Sequence, residues 1–280
     1  MKHFILYISL FIIQIGNSQE IPTLKELFLK GKVKTVNIQI YAVFESTEKQ
    51  TKWITTPIFE QEKAMDISVN NKGFITEYTT NDFIKYTTKI TYDDKDRPIN
   101  IKEYKRGDFL RYEYTFVYDD KNKTRQEYIY NGEIKEKRLL STCTLNKDNQ
   151  PTYCTYYDDE GKERSTSTYQ YDKKGNKIFN RVAYYFQEYF KNPSDVYTSE
   201  GFLKRHILTI NKKGIEGFEL NYTYGNGDFP ETFTVKQEEY QPPKTYTFKY
   251  KLDEQGNWVQ KTVYYDGKEV NIIERKITYW

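Results

Sequence analysis

Histidine and cysteine are nearly missing from this chain, with 2 of each in 280 residues. A structural zinc site takes four Cys or His ligands, so no metal centre of that kind is expected. His3 lies in the N-terminal stretch, and His206 stands alone in the run Leu203 to Ile210. No nucleophile elbow accompanies His206, so it reads as a structural or solvent-facing side chain, and no catalytic residue is assigned. The 14 Gly and 8 Pro are too few for a low-complexity or collagen-like chain. Beyond the first twenty or so residues, no apolar run is long enough to cross a bilayer as a helix. Charge of one sign is also lacking. The 43 Lys and Arg are interleaved with 40 Asp and Glu for a net charge of +3. A nucleic-acid binder gathers its cations on one face or in one run, so nucleic acid is not an expected partner.

What is present is aromatic. Tyr 28 and Phe 17 bring the aromatic share to 17%, although the mean hydropathy is −0.87. Tyrosine scores poorly on hydropathy yet buries a large ring when its hydroxyl finds a partner. A disordered chain would be poor in such residues, so a sizeable core is expected.

Taken in order, residues 1–18 read as a signal peptide. Lys2 and His3 form a short basic start, Phe4 to Ile13 an apolar core, and Gly16-Asn17-Ser18 a small-residue exit before Gln19. The apolar core is too short for a span, and no cysteine follows it to carry a lipid. The expected location is therefore the periplasm, the cell surface or the medium, with no integral span after the leader is removed. Residues 19–32 predict one short helix. Thr23 and Glu26 have capping-box spacing, Gly31 suits the stop, and Leu24, Leu27 and Phe28 share a face. Its expected role is to cover an open end or edge of a sheet.

From Val33 the periodicity is that of strands, so residues 33–280 predict a β-meander repeat domain. Tyr92, Tyr118, Leu145, Tyr171, Tyr197, Tyr224 and Leu252 recur about every 26 residues, most of them followed by a polar bend. The clearest copy is Tyr171-Asp172-Lys173-Lys174-Gly175-Asn176. Tyr92-Asp93, Tyr118-Asp119 and Asp253-Glu254-Gln255-Gly256-Asn257 belong to others. Second bends such as Arg106-Gly107-Asp108 and Asp266-Gly267-Lys268 fall halfway between. Asp and Asn cap turns with their side chains, and Gly or Asn supplies positive φ. Tyr112, Tyr114, Phe116 and Tyr118 share one parity, while Arg111, Glu113 and Thr115 take the other. One face is thus aromatic and the opposite face polar. The predicted fold is all-β: a long antiparallel meander of hairpins forming an open or half-closed barrel-like sheet of roughly 14 to 18 strands, each half-unit supplying one. Asn192-Pro193-Ser194 marks a candidate bulge or subdivision near 192.

Cys143 and Cys154 are equidistant from the centre of the bend Asn146 to Pro151. A hairpin centred there sets them opposite one another on one face, and an exported compartment favours oxidation. A disulfide is expected; packed thiols or a register shifted by one residue are the alternatives.

The residues Tyr171-Asp172-Lys173-Lys174-Gly175-Asn176, with the looser copies at Tyr92-Asp93, Tyr118-Asp119 and Leu252 to Trp258, resemble the YD-repeat (Rhs-type) family. The ending Tyr265-Asp266-Gly267-Lys268 to Trp280 is similar to small secreted repeat proteins of Bacteroidetes-type bacteria. The resemblance covers about residues 66–280, and most copies depart from the family's Arg-Tyr-x-Tyr-Asp pattern. It implies an extracellular or envelope location and a scaffold or binding role, and it brings no catalytic residue.

The carboxylates cluster in bends. Asp93-Asp94-Lys95-Asp96 and Asp158-Asp159-Glu160 do not fit an EF-hand loop, so turn capping is the expected role and no cofactor is called for. A membrane barrel is disfavoured because strands such as Lys162 to Tyr169 place polar groups on both parities. The expected function is that of an exported, non-enzymatic binding or structural module with a protein or glycan partner. The alternatives are a carrier of an apolar ligand inside a partly closed sheet, and a hydrolase acting on envelope polymers.

Overall fold

Alternation of apolar and polar residues extends each segment into a strand with one buried and one solvated face. In the computed structural model the described residues are 24, 27–42, 64–81, 84–171, 173, 177–184, 190–197, 203–210, 218–224, 229–236 and 242–280. They form 18 strands in chain order. The first six are β1 (Val33–Ala42), β2 (Met65–Val69), β3 (Ile75–Asn81), β4 (Lys85–Tyr92), β5 (Pro98–Lys105) and β6 (Phe109–Asp119). Next come β7 (Thr124–Asn131), β8 (Glu136–Leu145), β9 (Pro151–Tyr157), β10 (Glu163–Tyr171), β11 (Lys177–Tyr184) and β12 (Phe190–Tyr197). The last are β13 (Leu203–Ile210), β14 (Phe218–Tyr224), β15 (Pro230–Lys236), β16 (Lys244–Leu252), β17 (Trp258–Tyr265) and β18 (Lys268–Tyr279).

Each strand pairs antiparallel with its neighbours in sequence, which is the predicted meander. The ladder does not stop at β18. It returns to β1, with Val36 opposite Ile277, Ile38 opposite Arg275 and Ile40 opposite Ile273. The strands therefore form a continuous ring, going beyond the open or half-closed sheet read from the sequence. The reason is physical: pairing with the chain's other end uses up the two exposed edges an open meander would leave. At Asn192-Pro193-Ser194 the pairing register shifts between Lys191 and Ser194 inside β12. The ladder continues on both sides.

The core lies on the inner face. Val36 and Ile38 of β1, Ile67 of β2, Ile90 of β4, Ile101 of β5, Phe233 of β15, Trp258 and Val263 of β17 and Ile273 of β18 are all buried there. On the outward face Lys89, Lys249, Glu274 and Lys276 are exposed. Among the described residues no helix is long and apolar enough to cross a membrane.

The connections fall on two rims. Those leaving β2, β4, β6, β8 and β16 lie on one rim, with the start of β1 and the end of β18; those leaving β3, β5, β7, β9 and β17 lie on the other. On the second rim a Cβ at Gly132 would sit 1.9 Å from the Leu110 carbonyl oxygen. Only glycine lets the hairpin after β7 approach β6 so closely.

Residues 19–23, 25 and 26 of the predicted helix at 19–32 lie outside the described residues. Leu24 and Leu27 to Lys32 form a strap against the first rim. The Leu29 N–H donates to the Leu24 carbonyl at 2.8 Å with Phe28 at φ 54°, the geometry of a helix C-terminal stop. Leu24, Leu27 and Phe28 pack against the core. Gly31 leads the chain into β1 at φ 79°.

Candidate functional site

The repeat unit resolves into one bend, built the same way at five places. The bends begin at Asn70, Asp93, Asn146, Asp158 and Asp253. In each, the first residue's N–H donates to the carbonyl four residues on, at 2.8 to 2.9 Å. The N–H of the residue three along donates back to the first carbonyl, at 3.0 to 3.1 Å. The first side chain accepts two further backbone N–H groups, those of Lys95 at 3.0 Å and Arg97 at 2.8 Å for Asp93. Asp253 does the same with Gln255 at 3.0 Å and Asn257 at 2.9 Å. The fourth residue has positive φ every time: Gly73, Asp96, Asn149, Gly161 and Gly256. This is a tight turn followed by a left-handed bulge residue. It demands Asp or Asn first and Gly, Asn or Asp fourth, which is what the sequence supplies. The bend at Asp119 is a variant, its carboxylate accepting from Lys121 and Asn122 and its positive φ moved to Lys123.

The tyrosines of the motif have their own task. Tyr92 donates its hydroxyl to the Ile75 carbonyl at 2.8 Å, Tyr118 to Pro98 at 3.1 Å, and Tyr171 to Pro151 at 2.9 Å. Each acceptor is the first residue after the preceding bend on the same rim, so every tyrosine ties its unit to the one before. Burial pushes Tyr92 up to about 12, so its hydroxyl stays a donor at ordinary pH. In the copy at Leu252 the task passes to Tyr250, which donates to Pro230 at 2.7 Å, while Leu252 is exposed. Charges add further ties. Lys72 meets Asp96 at 2.7 Å, Lys95 and Arg97 each meet Asp120 at 2.5 Å, and Lys123 reaches Asn149 at 3.2 Å. Half-exposed pairs contribute little singly; here they join four successive bends.

The candidate residues Tyr92, Asp93, Tyr118, Asp119, Tyr171, Asp253, Gly256 and Asn257 thus share the first rim and act as turn and tie groups. Asp172, Gly175 and Asn176 lie outside the described residues. Asp158 has the same bend on the opposite rim. His206 falls in β13, opposite Asp195 and Leu220 by register.

Desolvation opposes ionisation of Asp93. The Arg97 N–H and guanidinium, with the Lys95 N–H, more than offset it and hold the carboxyl below its ordinary range. A carboxyl with a depressed folded pKa contributes stability that is present above its unfolded pKa near 3.8 and is lost as pH falls through the lower folded value. Acid titration of the wild type and Asp93→Asn, followed by circular dichroism, is expected to show the wild-type advantage shrinking below about pH 4. An advantage that is constant down to pH 2 would contradict this.

The sequence reading missed a buried polar block on the inner face of β7 to β10. By register one row runs Arg125, Cys143, Cys154, Ser167 and the next Glu127, Ser141, Tyr156, Ser165. Cys143 and Cys154 are joined, with their Cα atoms 4.1 Å apart. The Ser141 hydroxyl donates to Glu127 at 3.0 Å. Burial works against charge on Arg125, but Glu127 and Tyr118 keep its pKa raised. Arg125 also lies 5.2 Å from the Phe116 ring and directs Nη2 at the Cys143 sulfur at 3.5 Å. The polar parity of Arg125, Glu127 and Ser141 is visible in the sequence, but the burial of Glu127 and Ser141 comes from the ring.

Two rows on the outward face of the same strands carry no charge, and beyond them Lys137 of β8 lies 5.4 Å from the Tyr128 ring. One row is Thr124, Thr144, Tyr153, Thr168 and the next Gln126, Thr142, Thr155, Thr166. Tyr153 is 43% exposed, and Val117 beside Gln126 is 50% exposed.

The fold defines an all-β antiparallel meander of repeated hairpins. No protein-family model and no curated protein matches the chain. Among solved structures, a porin-like protein from Bacteroides uniformis is similar at 13% identity and a TM-score of 0.43, over 88% of this chain and 96% of that one. The Photorhabdus luminescens Tc holotoxin pore is 12% identical with a TM-score of 0.26, over 72% of this chain and 13% of that one. A TcdB2-TccC3-Cdc42 complex gives 12% and 0.30, over 84% and 12%. All three scores are below 0.5, and the chain spans about an eighth of the two toxin chains.

Proposed function

We propose that this chain is an exported, non-enzymatic structural and binding module of the cell envelope or extracellular space. It meets its partner through the outward face of β7 to β10. The observation that carries the reading is the division of labour between faces. The inner face towards the first rim is filled by Trp258, Phe233, Ile101 and their neighbours, and the bend carboxylates are engaged in holding turns. Among the described residues, these rows present a block of Thr, Tyr and Gln without charge, in a chain that is 30% charged. Such a face suits an uncharged partner surface, glycan or protein, because no ion pair has to be desolvated when it docks. The packed inner face speaks for a scaffold over a carrier of apolar ligands.

The test is retention of the purified protein on neutral insoluble polysaccharides and envelope extracts, with T144K/T168K as the variant. Retention lost in the variant at unchanged unfolding temperature is the expected result. Retention that ignores the two lysines would overturn the assignment of the face. Polymer turnover abolished by replacing His206 or one carboxylate would overturn the non-enzymatic reading.

A further inference from the structure

The inner face of β8 to β10 carries three buried serines. Ser141, Ser165 and Ser167 stand beside Tyr156 and Tyr169, where other inner positions hold Trp258, Phe233, Phe248 or Ile273. Ser165 and Ser167 are both 0% exposed, and among the described residues neither hydroxyl has a hydrogen-bond partner. The Nε of Arg125, in the same row as Ser167, is likewise without one.

Burying a hydroxyl without a partner is unfavourable, and alanine would occupy either position with no such cost. Serine at two consecutive inward positions, among close-packed aromatics, therefore needs a guest that both accepts and donates hydrogen bonds. We propose that Ser165 and Ser167 hold ordered internal water, forming a closed hydrated site against the wall made by the Cys143–Cys154 bridge and Tyr156. The dimensions agree. Side chains two apart on one face are separated by roughly 6.7 Å along the strand, and a chain of two waters with links of about 2.8 Å bridges that span. Complete burial limits the guest to something water-sized. A sugar, a lipid or a peptide has no route to a hydroxyl with no exposed surface. Buried waters of this kind use two to four polar partners each and belong to the folded structure. This site is independent of the outward binding face.

Two measurements on the full chain test the proposal. A high-resolution crystal structure of the wild type is expected to show solvent peaks within about 3 Å of both serine oxygens. Thermal unfolding of Ser165→Ala, Ser167→Ala and the double variant is expected to fall by roughly 2–4 °C per substitution, because each alanine removes an anchor from a resident water. In a dry site the sign reverses: alanine removes an unpartnered hydroxyl, and the midpoint rises or stays level. Wild-type density without solvent at these oxygens, or alanine variants at least as stable as the wild type, would overturn the assignment. Should the double variant fail to fold, the wild-type density alone decides.

Discussion

Replacing Asn257 with alanine is expected to lower the unfolding midpoint by roughly 5–15 °C, corresponding to about 2–4 kcal/mol in a chain of this size. Asn257 is fully buried at the place where the strap, the last bend and β18 meet. The Lys30 N–H donates to its Oδ1 at 2.6 Å, while its Nδ2 donates to the Lys30 carbonyl at 3.0 Å and to the Tyr279 hydroxyl at 2.7 Å. Alanine removes all three of these hydrogen bonds at once from a fully buried position, and it is their number at one junction that makes the loss large. Neighbouring contacts share the task. Tyr279 donates to the Asp253 carboxylate, Arg275 donates to the Leu27 carbonyl at 2.7 Å, and the Trp280 N–H donates to the Lys32 carbonyl at 2.9 Å. Gln150 holds the same place in the bend at Asn146, away from the seam. Gln150→Ala is therefore expected to shift the midpoint by less than a third as much. Equal shifts in the two variants would show that Asn257 acts only within its own turn.

Removing the bridge with C143A/C154A is expected to cost about 3 kcal/mol, the loop-closure value for a separation of 11 residues, or roughly 5–10 °C. The two sulfurs are buried among Leu145, Tyr156 and Tyr169, so reductant should act slowly on the native protein and rapidly once it is unfolded. Unreduced, denatured protein is expected to take up no thiol label, and reduced protein two. A midpoint unchanged in the double variant would mean that the hairpin of β8 and β9 is already held by its neighbours.

Much of this architecture was legible in the residues. The bend reads directly from Asp or Asn followed three residues later by Gly, Asn or Asp, because one carboxylate or amide and one left-handed residue define the turn. The opposition of Cys143 and Cys154 follows from counting outward from Asn146 to Pro151. The closure was not legible. Val36 and Ile277 are far apart in sequence, and no local pattern states that the first strand finds the last. The hydroxyl ties of Tyr92, Tyr118 and Tyr171 were missed for a related reason. Their rings read as core, and their acceptors are backbone carbonyls, which leave no mark in a sequence. Parity shows Arg125, Glu127, Ser165 and Ser167 as polar positions facing inward, but only the ring reveals that Glu127 and the two serines are sealed from solvent. The outward Thr and Tyr face reads as ordinary strand composition. Its lack of charge emerges when register sets Thr144 beside Tyr153 and Tyr153 beside Thr168.

The central claim, that the meander closes on itself, is tested most directly at Thr35 and Thr278. These residues face each other across β1 and β18 with their hydroxyls 2.6 Å apart. The variant T35C/T278C, oxidised gently and digested without reduction, is expected to yield a peptide linking the two new cysteines alongside the native Cys143–Cys154 pair. Two free thiols at 35 and 278, with only the native bridge formed, would contradict closure.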